Sequence, residues 1–127
     1  TLSGYGNSNG KAGTGAGKLR WVETTIKKAD YTKSEILVEQ SKGKGACHGD
    51  SGGPAYVKVD GTLVLIGVTS RGVDDANNDC SVSAAYTSIP FYSAWIKRTS
   101  TALNKAAKTP APATPAAPAV RALASAS

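Results

Sequence analysis

The residues best suited to do chemistry lie together at positions 47–54, which read Cys-His-Gly-Asp-Ser-Gly-Gly-Pro. A serine hydroxyl is a poor nucleophile alone, and acyl transfer also needs N–H donors aimed at the developing oxyanion. The glycines around Ser51 permit a tight turn and let a substrate carbonyl approach main-chain amides without meeting a Cβ atom. The octapeptide is therefore compatible with a nucleophilic serine beside an oxyanion hole.

Short apolar runs, separated by glycine and small polar residues, must position this turn. They lie within residues 1–104 and read LSGYG, KLRWVETTIKK, SEILVEQ, PAYVKV, TLVLIGVTS and SAAYTSI. Such spacing is typical of short antiparallel strands in a sandwich or barrel. Asp60-Gly61 predicts a hairpin turn within residues 57–64, because both residues tolerate positive φ. A helix is predicted after Pro90, where large apolar side chains recur at helical spacing.

Two loops and a tail are predicted between and after these elements. Residues 6–17 are glycine-rich and carry no large side chain, which predicts a long mobile surface loop, and residues 72–79 are polar and rich in turn formers. The Ala/Pro-rich residues 105–127 have too little apolar surface to fold. We therefore expect one ordered domain over residues 1–104, followed by a disordered basic linker or tail over 105–127.

The charge distribution and the hydropathy pattern exclude two function classes. The net charge of the 127 residues is +6, but five basic residues and no acidic one lie from Lys97 onward. Residues 1–96 carry ten basic and nine acidic residues, whereas a nucleic-acid-binding fold concentrates cations on its ordered part. No apolar run approaches the roughly 18 residues of a transmembrane helix. We expect neither a nucleic-acid partner nor a membrane span.

Residues 47–54 also closely resemble the nucleophile motif of the trypsin/chymotrypsin family of serine proteases. Residues 2–6 resemble the strand that opens the second barrel of that family, and residues 67–72 resemble the strand that walls its specificity pocket. Residues 86–89 and 93–97 resemble its closing strand and C-terminal helix. The resemblance implies an all-β fold: the second barrel of a two-barrel protease, a six-stranded antiparallel Greek-key barrel with a C-terminal helix.

The resemblance implies a role for each residue of the motif. Ser51 is the nucleophile, and the main-chain N–H groups of Gly49 and Ser51 form the oxyanion hole. Asp50 matches the carboxylate that pairs with a new N-terminal amine after zymogen cleavage. Cys47 and Cys80 match the disulfide that clamps the walls of the specificity pocket, which implies an oxidising compartment and a secreted or periplasmic protein. Free thiols or a metal site are the alternatives, and with a single histidine and no third cysteine a tetrahedral zinc site is disfavoured.

The catalytic base and its orienting carboxylate have no counterpart in this sequence. The single histidine, His48, stands where the family has a pocket-rim residue that touches substrate, so we expect a rim side chain rather than a base. In the family, the base histidine and the aspartate belong to the first barrel. The resemblance implies that an absent N-terminal half supplies them and that this chain alone is catalytically incomplete.

The resemblance also marks the substrate-binding residues. Gly45 matches the pocket floor, and Ser70, Arg71 and Gly72 belong to the strand that pairs with the substrate backbone. Because Gly45 brings neither charge nor bulk, we expect an open, uncharged pocket for an apolar or aromatic side chain. Arg71 replaces a residue that is usually aromatic. It either attracts acidic residues of the substrate or turns outward to solvent.

The expected function is peptide-bond hydrolysis through an acyl-enzyme on Ser51, with a protein or peptide substrate and no cofactor or metal. One alternative is a protease-like binding module, or an inactive fragment, without catalysis. Another is a surface-attached fragment whose basic tail is the functional part. The intact motif favours the enzyme, because a chain with no catalytic duty need not keep an accessible serine in such a turn.

Overall fold

The computed structural model describes residues 1–108, which form one antiparallel sheet of seven strands followed by a helix. The strands are β1 (Leu2–Gly4), β2 (Arg20–Val22), β3 (Ile26–Thr32), β4 (Glu35–Glu39), β5 (Pro54–Val59), β6 (Thr62–Val73) and β7 (Ser83–Ser88). The helix, α1, spans Ile89–Lys108. The strand order in the sheet is β2-β1-β5-β6-β7-β4-β3.

The two edge strands of this sheet are consecutive in the chain, and this forces the sheet to curl. β2 ends at Val22 and β3 begins at Ile26, a step that an extended chain bridges over at most about 14 Å. In a flat sheet the first and seventh strands would be about 29 Å apart at ordinary strand spacing. The sheet therefore wraps round into a barrel, and the predicted all-β class is confirmed.

The strand count is seven rather than the six expected. The sequence pattern joined residues 18–28 into one strand, but the structure interrupts it: β2 pairs with β1, and β3 pairs with β4. Residues 23–25 form the bend between them. There the Thr25 carbonyl accepts the N–H of Glu39 at 2.9 Å, and the Thr24 hydroxyl donates to the Glu39 carbonyl at 2.6 Å. One interrupted strand accounts for the difference.

The core lies against β4 and β7, which are the most deeply buried strands. The main cluster of buried side chains comprises Leu2, Ile36, Val38, Ala55, Ala84 and Tyr86. A smaller cluster joins Leu37 of β4 and Ala85 of β7 to Val73 of β6. Leu37 and Ala85 alternate with residues of the main cluster, because successive side chains in a strand point to opposite faces. β7 also pairs with β6, which in turn pairs with β5, the strand that follows the motif.

The predicted hairpin and helix are both present. Asp60 and Gly61 have φ of 47° and 81°, and Val59 pairs with Thr62 across them. Ser88 Oγ accepts the N–H of Phe91 at 3.4 Å at the start of α1. The helix continues to Lys108, four residues past the expected end of the ordered domain, and residues 109–127 of the predicted tail lie outside the described residues. Within residues 1–108, no helix combines the length and apolar character that crossing a bilayer requires.

Candidate active site

Ser51 is exposed on a turn that precedes β5. Gly49 and Gly52 flank it with φ of 95° and 81°, a backbone region that side-chain-bearing residues rarely adopt. The turn is closed by a hydrogen bond from Asp50 N–H to the Cys47 carbonyl at 3.0 Å, and Gly52 N–H donates to Thr69 of β6 at 2.9 Å. The backbone conformation around the nucleophile is therefore set by glycine and fixed to the barrel.

The two amides predicted to form the oxyanion hole have no hydrogen-bond acceptor within residues 1–108. The intervening N–H of Asp50 and the following N–H groups of Gly52 and Gly53 all donate to carbonyls. The N–H groups of Gly49 and Ser51 do not. Both are therefore available to a ligand oxygen, as an oxyanion hole requires.

The single histidine contacts the loop after β6. His48 is exposed, and its Nε2 lies 3.1 Å from the carbonyl oxygen of Asn78. Since a carbonyl only accepts hydrogen bonds, this contact requires Nε2 to carry the proton. His48 thus donates to the main chain of a neighbouring loop, and its expected position at the pocket rim remains a prediction.

Cys47 and Cys80 form a disulfide that joins the motif to the segment before β7. The S–S distance is 2.01 Å over a sequence separation of 33 residues. Their sulfurs and a ring nitrogen of His48 lie within 4.8 Å of one another. Because zinc binds cysteine as the thiolate, sulfurs bonded to each other are not available as metal ligands.

The carboxylate of Asp50 points back toward β1. Its Oδ1 accepts the N–H of Gly6 at 2.7 Å, and its Oδ2 accepts the N–H of Cys47 at 2.9 Å. A Cβ at Gly4 would lie 1.9 Å from Oδ1, and a Cβ at Gly6 would lie 2.5 Å from Cγ. The two glycines flanking Tyr5 are thus required by the approach of Asp50. The contact of Asp50 with these glycines was not predicted from the sequence. The spacing of the two glycines is the one sequence feature that could have indicated it.

Asp50 is among the residues that line two cavities. The larger, of about 550 Å³, is lined by Asp50, Gly45, both cysteines and Tyr86 among others. The smaller, of about 310 Å³, is lined by Ser51, Gly49, Tyr5 and Leu19 among others. Ser70, Arg71 and Gly72 line neither of them. Within residues 1–108, the predicted substrate-binding residues are therefore not gathered in one of these cavities.

The predicted pocket floor, Gly45, packs against a buried amide side chain. Gln40 is only 2% exposed, its Oε1 accepts the N–H of Ala46 at 2.8 Å, and its Nε2 donates to the Cys80 carbonyl at 3.1 Å. A Cβ at position 45 would lie 2.4 Å from Gln40. Gln40 was not identified from the sequence, because nothing local marks a polar residue at the end of an apolar strand as buried.

Arg71 takes an arrangement that neither sequence interpretation anticipated. Its guanidinium makes two contacts with the carboxylate of Glu35 on β4, across the intervening strand β7; one joins Nη2 to Oε2 at 3.2 Å. The hydrogen bond from Arg71 lowers the pKa of Glu35. Half of the Arg71 side chain stays exposed, so one edge of the guanidinium still faces solvent.

Comparison with known proteins shows the family of the chain. The family model Trypsin matches residues 1–96. The chain is 31% identical to CLIP domain-containing serine protease B14 of Anopheles gambiae over 113 residues. This alignment covers 77% of this chain and 30% of the relative. It is 29% identical to CLIP domain-containing serine protease B4 of the same mosquito over 110 residues, 76% of this chain and 30% of the relative. Serine protease 28 of Mus musculus is 39% identical over 44 residues, 35% of this chain and 16% of the relative.

The chain thus spans less than a third of the length of these relatives. The matched region nevertheless contains every element described above except the last part of α1. It includes the serine turn, the disulfide and the strands that hold them. The chain belongs to the trypsin family of serine proteases.

Proposed function

We propose that this chain is the nucleophile-bearing half of a serine endopeptidase that cleaves peptide bonds through an acyl-enzyme on Ser51. The carrying observation is an exposed serine in a trypsin-family turn, beside amides of Gly49 and Ser51 that have no acceptor within residues 1–108. Donors of this kind stabilise the charge that develops on the substrate carbonyl, and loss of one typically lowers kcat by about 100- to 1000-fold.

The reaction divides peptide cleavage into two acyl transfers. Ser51 Oγ bonds to the scissile carbonyl carbon while its proton passes to a base. The resulting oxyanion accepts hydrogen bonds from the N–H groups of Gly49 and Ser51. The C–N bond then breaks as the protonated base returns the proton to the leaving amine. Water attacks the acyl-enzyme by the same proton route, releases the acid and restores the serine hydroxyl.

The base comes from a first barrel outside these 127 residues, together with the carboxylate that orients it. The one histidine of the chain is His48, whose Nε2 is engaged with Asn78. Apolar side chains that such a barrel would cover are exposed: Trp21 at 69%, Trp95 at 57% and Leu19 at 58%. Clustered exposed apolar surface is typical of protein–protein contact sites.

Asp50 is the acceptor for the amine at the end of that first barrel after zymogen cleavage. Its carboxylate lines the 550 Å³ cavity, which gives an incoming amine space. Each oxygen has one backbone N–H partner, from Gly6 or Cys47, and a carboxylate oxygen can accept more than one hydrogen bond. An ammonium would add a charge-assisted bond to this arrangement.

The substrate backbone pairs with residues 70–72 of β6. The β5–β6 ladder ends at Pro54–Val68, and Thr69 bonds to the main chain of residues 52 and 53; within residues 1–108, no strand pairs with this edge of β6 beyond Thr69. The register shift between Thr69 and Arg71 leaves Ser70 out of the ladder with β7. An extended peptide can add to such a free edge through main-chain hydrogen bonds. We expect Gly45 at the floor of the pocket and His48 at its rim.

The disulfide supports a proposed location of the protein outside the cytoplasm. Structural disulfides persist in oxidising compartments, and Cys47–Cys80 clamps the turn that carries the nucleophile. We assign the protein to the extracellular space or, in a bacterium, to the periplasm.

Active-site labelling tests this function. The full-length protein, produced with its first barrel and activated, is treated with a fluorophosphonate, and the modified residue is located by mass spectrometry. Labelling of Ser51 is expected, with its loss in Ser51→Ala and its retention in Ser41→Ala, an exposed serine outside the turn. Absence of labelling in the activated wild-type protein would refute the proposal and favour a non-catalytic binding module.

A further inference from the structure

The surface of the helix α1 is divided into a basic stripe and an apolar stripe. The basic stripe comprises Lys97, Arg98, Lys105 and Lys108, all of them exposed. At about 3.6 residues per turn, Lys97 lies almost above Lys108 and Arg98 almost above Lys105, so the stripe occupies an arc of about 100°. The rest of the circumference carries the large apolar side chains: Phe91, Tyr92, Trp95, Ile96 and Leu103.

The charge of this helix is entirely of one sign. α1 contains no acidic residue, so it cannot form ion pairs along its own surface. Lys105 and Lys108 lie in the last turn, where a cation interacts favourably with the helix dipole. Lys97 and Arg98 are more than two turns from that end, beyond the reach of the dipole, and neither takes part in an ion pair described within residues 1–108. Helix stability therefore does not account for the whole stripe.

The basic stripe begins where the family match ends. The Trypsin model matches residues 1–96, and the first residue of the stripe is Lys97. From there α1 continues to Lys108, which at a rise of about 1.5 Å per residue is about 16 Å of helix. The stripe is thus a row of cations added to the barrel that carries Ser51.

The two stripes call for different partners. The apolar stripe includes Trp95, which the proposed first barrel covers, and the basic stripe is then the side of α1 left in solvent. A partner that meets only this side needs a row of anionic groups and no apolar part. Lysine ammonium groups are compact and strongly hydrated, which suits hydrated sulfate or carboxylate groups. A lipid surface would also need the apolar stripe.

We propose that the basic stripe of α1 binds a linear anionic polysaccharide, one that bears sulfate or carboxylate groups along its chain. The location proposed above, outside the cytoplasm, gives the protein access to such polymers. Binding would hold the protein at a matrix or cell surface and leave the serine turn accessible. The inference goes beyond the peptidase function and does not require Ser51 to be catalytic.

Binding to a sulfated polymer tests the stripe. Dextran sulfate is immobilised, with neutral dextran as the reference, and the full-length Ser51→Ala protein is applied at about 0.15 M salt. We expect binding to dextran sulfate alone. Exposed ion pairs are individually weak, so all four are removed together, and a loss of about 10-fold or more in affinity is expected. The variant is Lys97→Gln/Arg98→Gln/Lys105→Gln/Lys108→Gln, because glutamine has nearly the helix propensity of lysine and arginine.

A matched control removes the same number of charges elsewhere. Lys11→Gln/Lys33→Gln/Lys42→Gln/Lys58→Gln changes four exposed lysines outside α1 and should leave the affinity almost unchanged. With Ser51 restored, the helix variant should react with the fluorophosphonate at the wild-type rate, which shows that its fold is intact. Absence of labelling in the wild type would refute the peptidase function and leave the binding result standing.

Four outcomes would overturn the proposal. One is the absence of binding to dextran sulfate, and another is an equal loss of affinity in the helix variant and its control. A third is wild-type binding that persists at about 1 M salt, where the screening length is only about 3 Å. The fourth is tighter, stripe-dependent binding to phosphatidylglycerol vesicles or polyglutamate, which would assign the stripe to a lipid surface or an acidic protein.

Discussion

Tyr86 shows how much of the site depends on one buried side chain. It belongs to the main core cluster, has no solvent exposure, and is one of the residues around the larger cavity. Burial raises the pKa of Tyr86 to about 12, because the phenolate is disfavoured away from water. The same residue thus packs its ring in the core and keeps its hydroxyl protonated there.

This pKa predicts a loss of stability in alkali. Because the tyrosine pKa is about 10 in the unfolded chain and about 12 in the fold, only the unfolded state releases the proton as pH rises past 10. The contribution of Tyr86 burial to the free energy of unfolding is therefore complete below pH 10, and about 1 kcal/mol of it is lost by pH 11. Urea unfolding of wild type and Tyr86→Phe at pH 9 and 11, followed by circular dichroism, measures the difference. A pH dependence equal in both proteins would contradict the prediction.

At the scale of elements, the turn and the loop that form the site are joined by one covalent bond. Cys47 lies in the serine turn, and Cys80 lies in the loop between β6 and β7. Neither segment is a regular strand or helix, so few backbone ladders hold them. The disulfide is therefore expected to stabilise these irregular segments together.

Removal of this bond should be costly. A cross-link closing a loop of 33 residues contributes about 4 kcal/mol in the loop-entropy model. Cys47→Ala/Cys80→Ala is expected to lower the free energy of unfolding by about that amount in the full-length protein, as measured by urea titration. Reduction of wild type with dithiothreitol should reproduce the loss, and the double variant should be insensitive to the reductant. An unchanged midpoint in the double variant would show that the bond is dispensable.

The sequence predicted the elements whose signals are local. The Asp60-Gly61 turn and the helix after Pro90 needed only neighbouring residues to be identified, and both are present. The interruption between β2 and β3 was missed, because it depends on hydrogen bonds from residues 24 and 25 to Glu39. The ion pair of Arg71 with Glu35 was also missed, since 36 residues separate the partners. Contacts remote in sequence require the pairing of strands to be known first.

For the candidate site as well, local features were predicted and contacts between remote residues were missed. The serine turn could be identified residue by residue because its chemistry is contained in eight consecutive positions. The role of Gln40 beside Gly45 depends on how two segments that are separate in the sequence meet. Nothing in the local sequence indicates that a side chain at position 45 would collide with Gln40.

For the whole molecule, the notable property is how much large apolar surface is exposed. The helix α1 buries none of its residues, and Phe91, Trp95 and Leu103 are all exposed on it. Val59 and Leu63, on either side of the β5–β6 hairpin, are each about half exposed. A chain with this surface is expected to depend on a partner domain to cover it.

The isolated chain should therefore associate with itself. Residues 1–127 alone are expected to form oligomers or aggregates at rising concentration, as followed by analytical ultracentrifugation, and co-production with the first barrel should suppress this. Trp95→Gln should reduce the association, whereas Lys97→Gln on the same helix should not. A chain that stays monomeric at high concentration and melts sharply would argue against a missing partner.

The exposed indoles have an additional, spectroscopic consequence. Trp21 and Trp95 are the two tryptophans of the chain, and both are more than half exposed. An indole in water emits at longer wavelength than one surrounded by apolar groups. The intrinsic fluorescence of the free chain should thus be red-shifted even though it is folded, and should move to shorter wavelength when the first barrel docks. The chain therefore carries its own optical reporter of assembly.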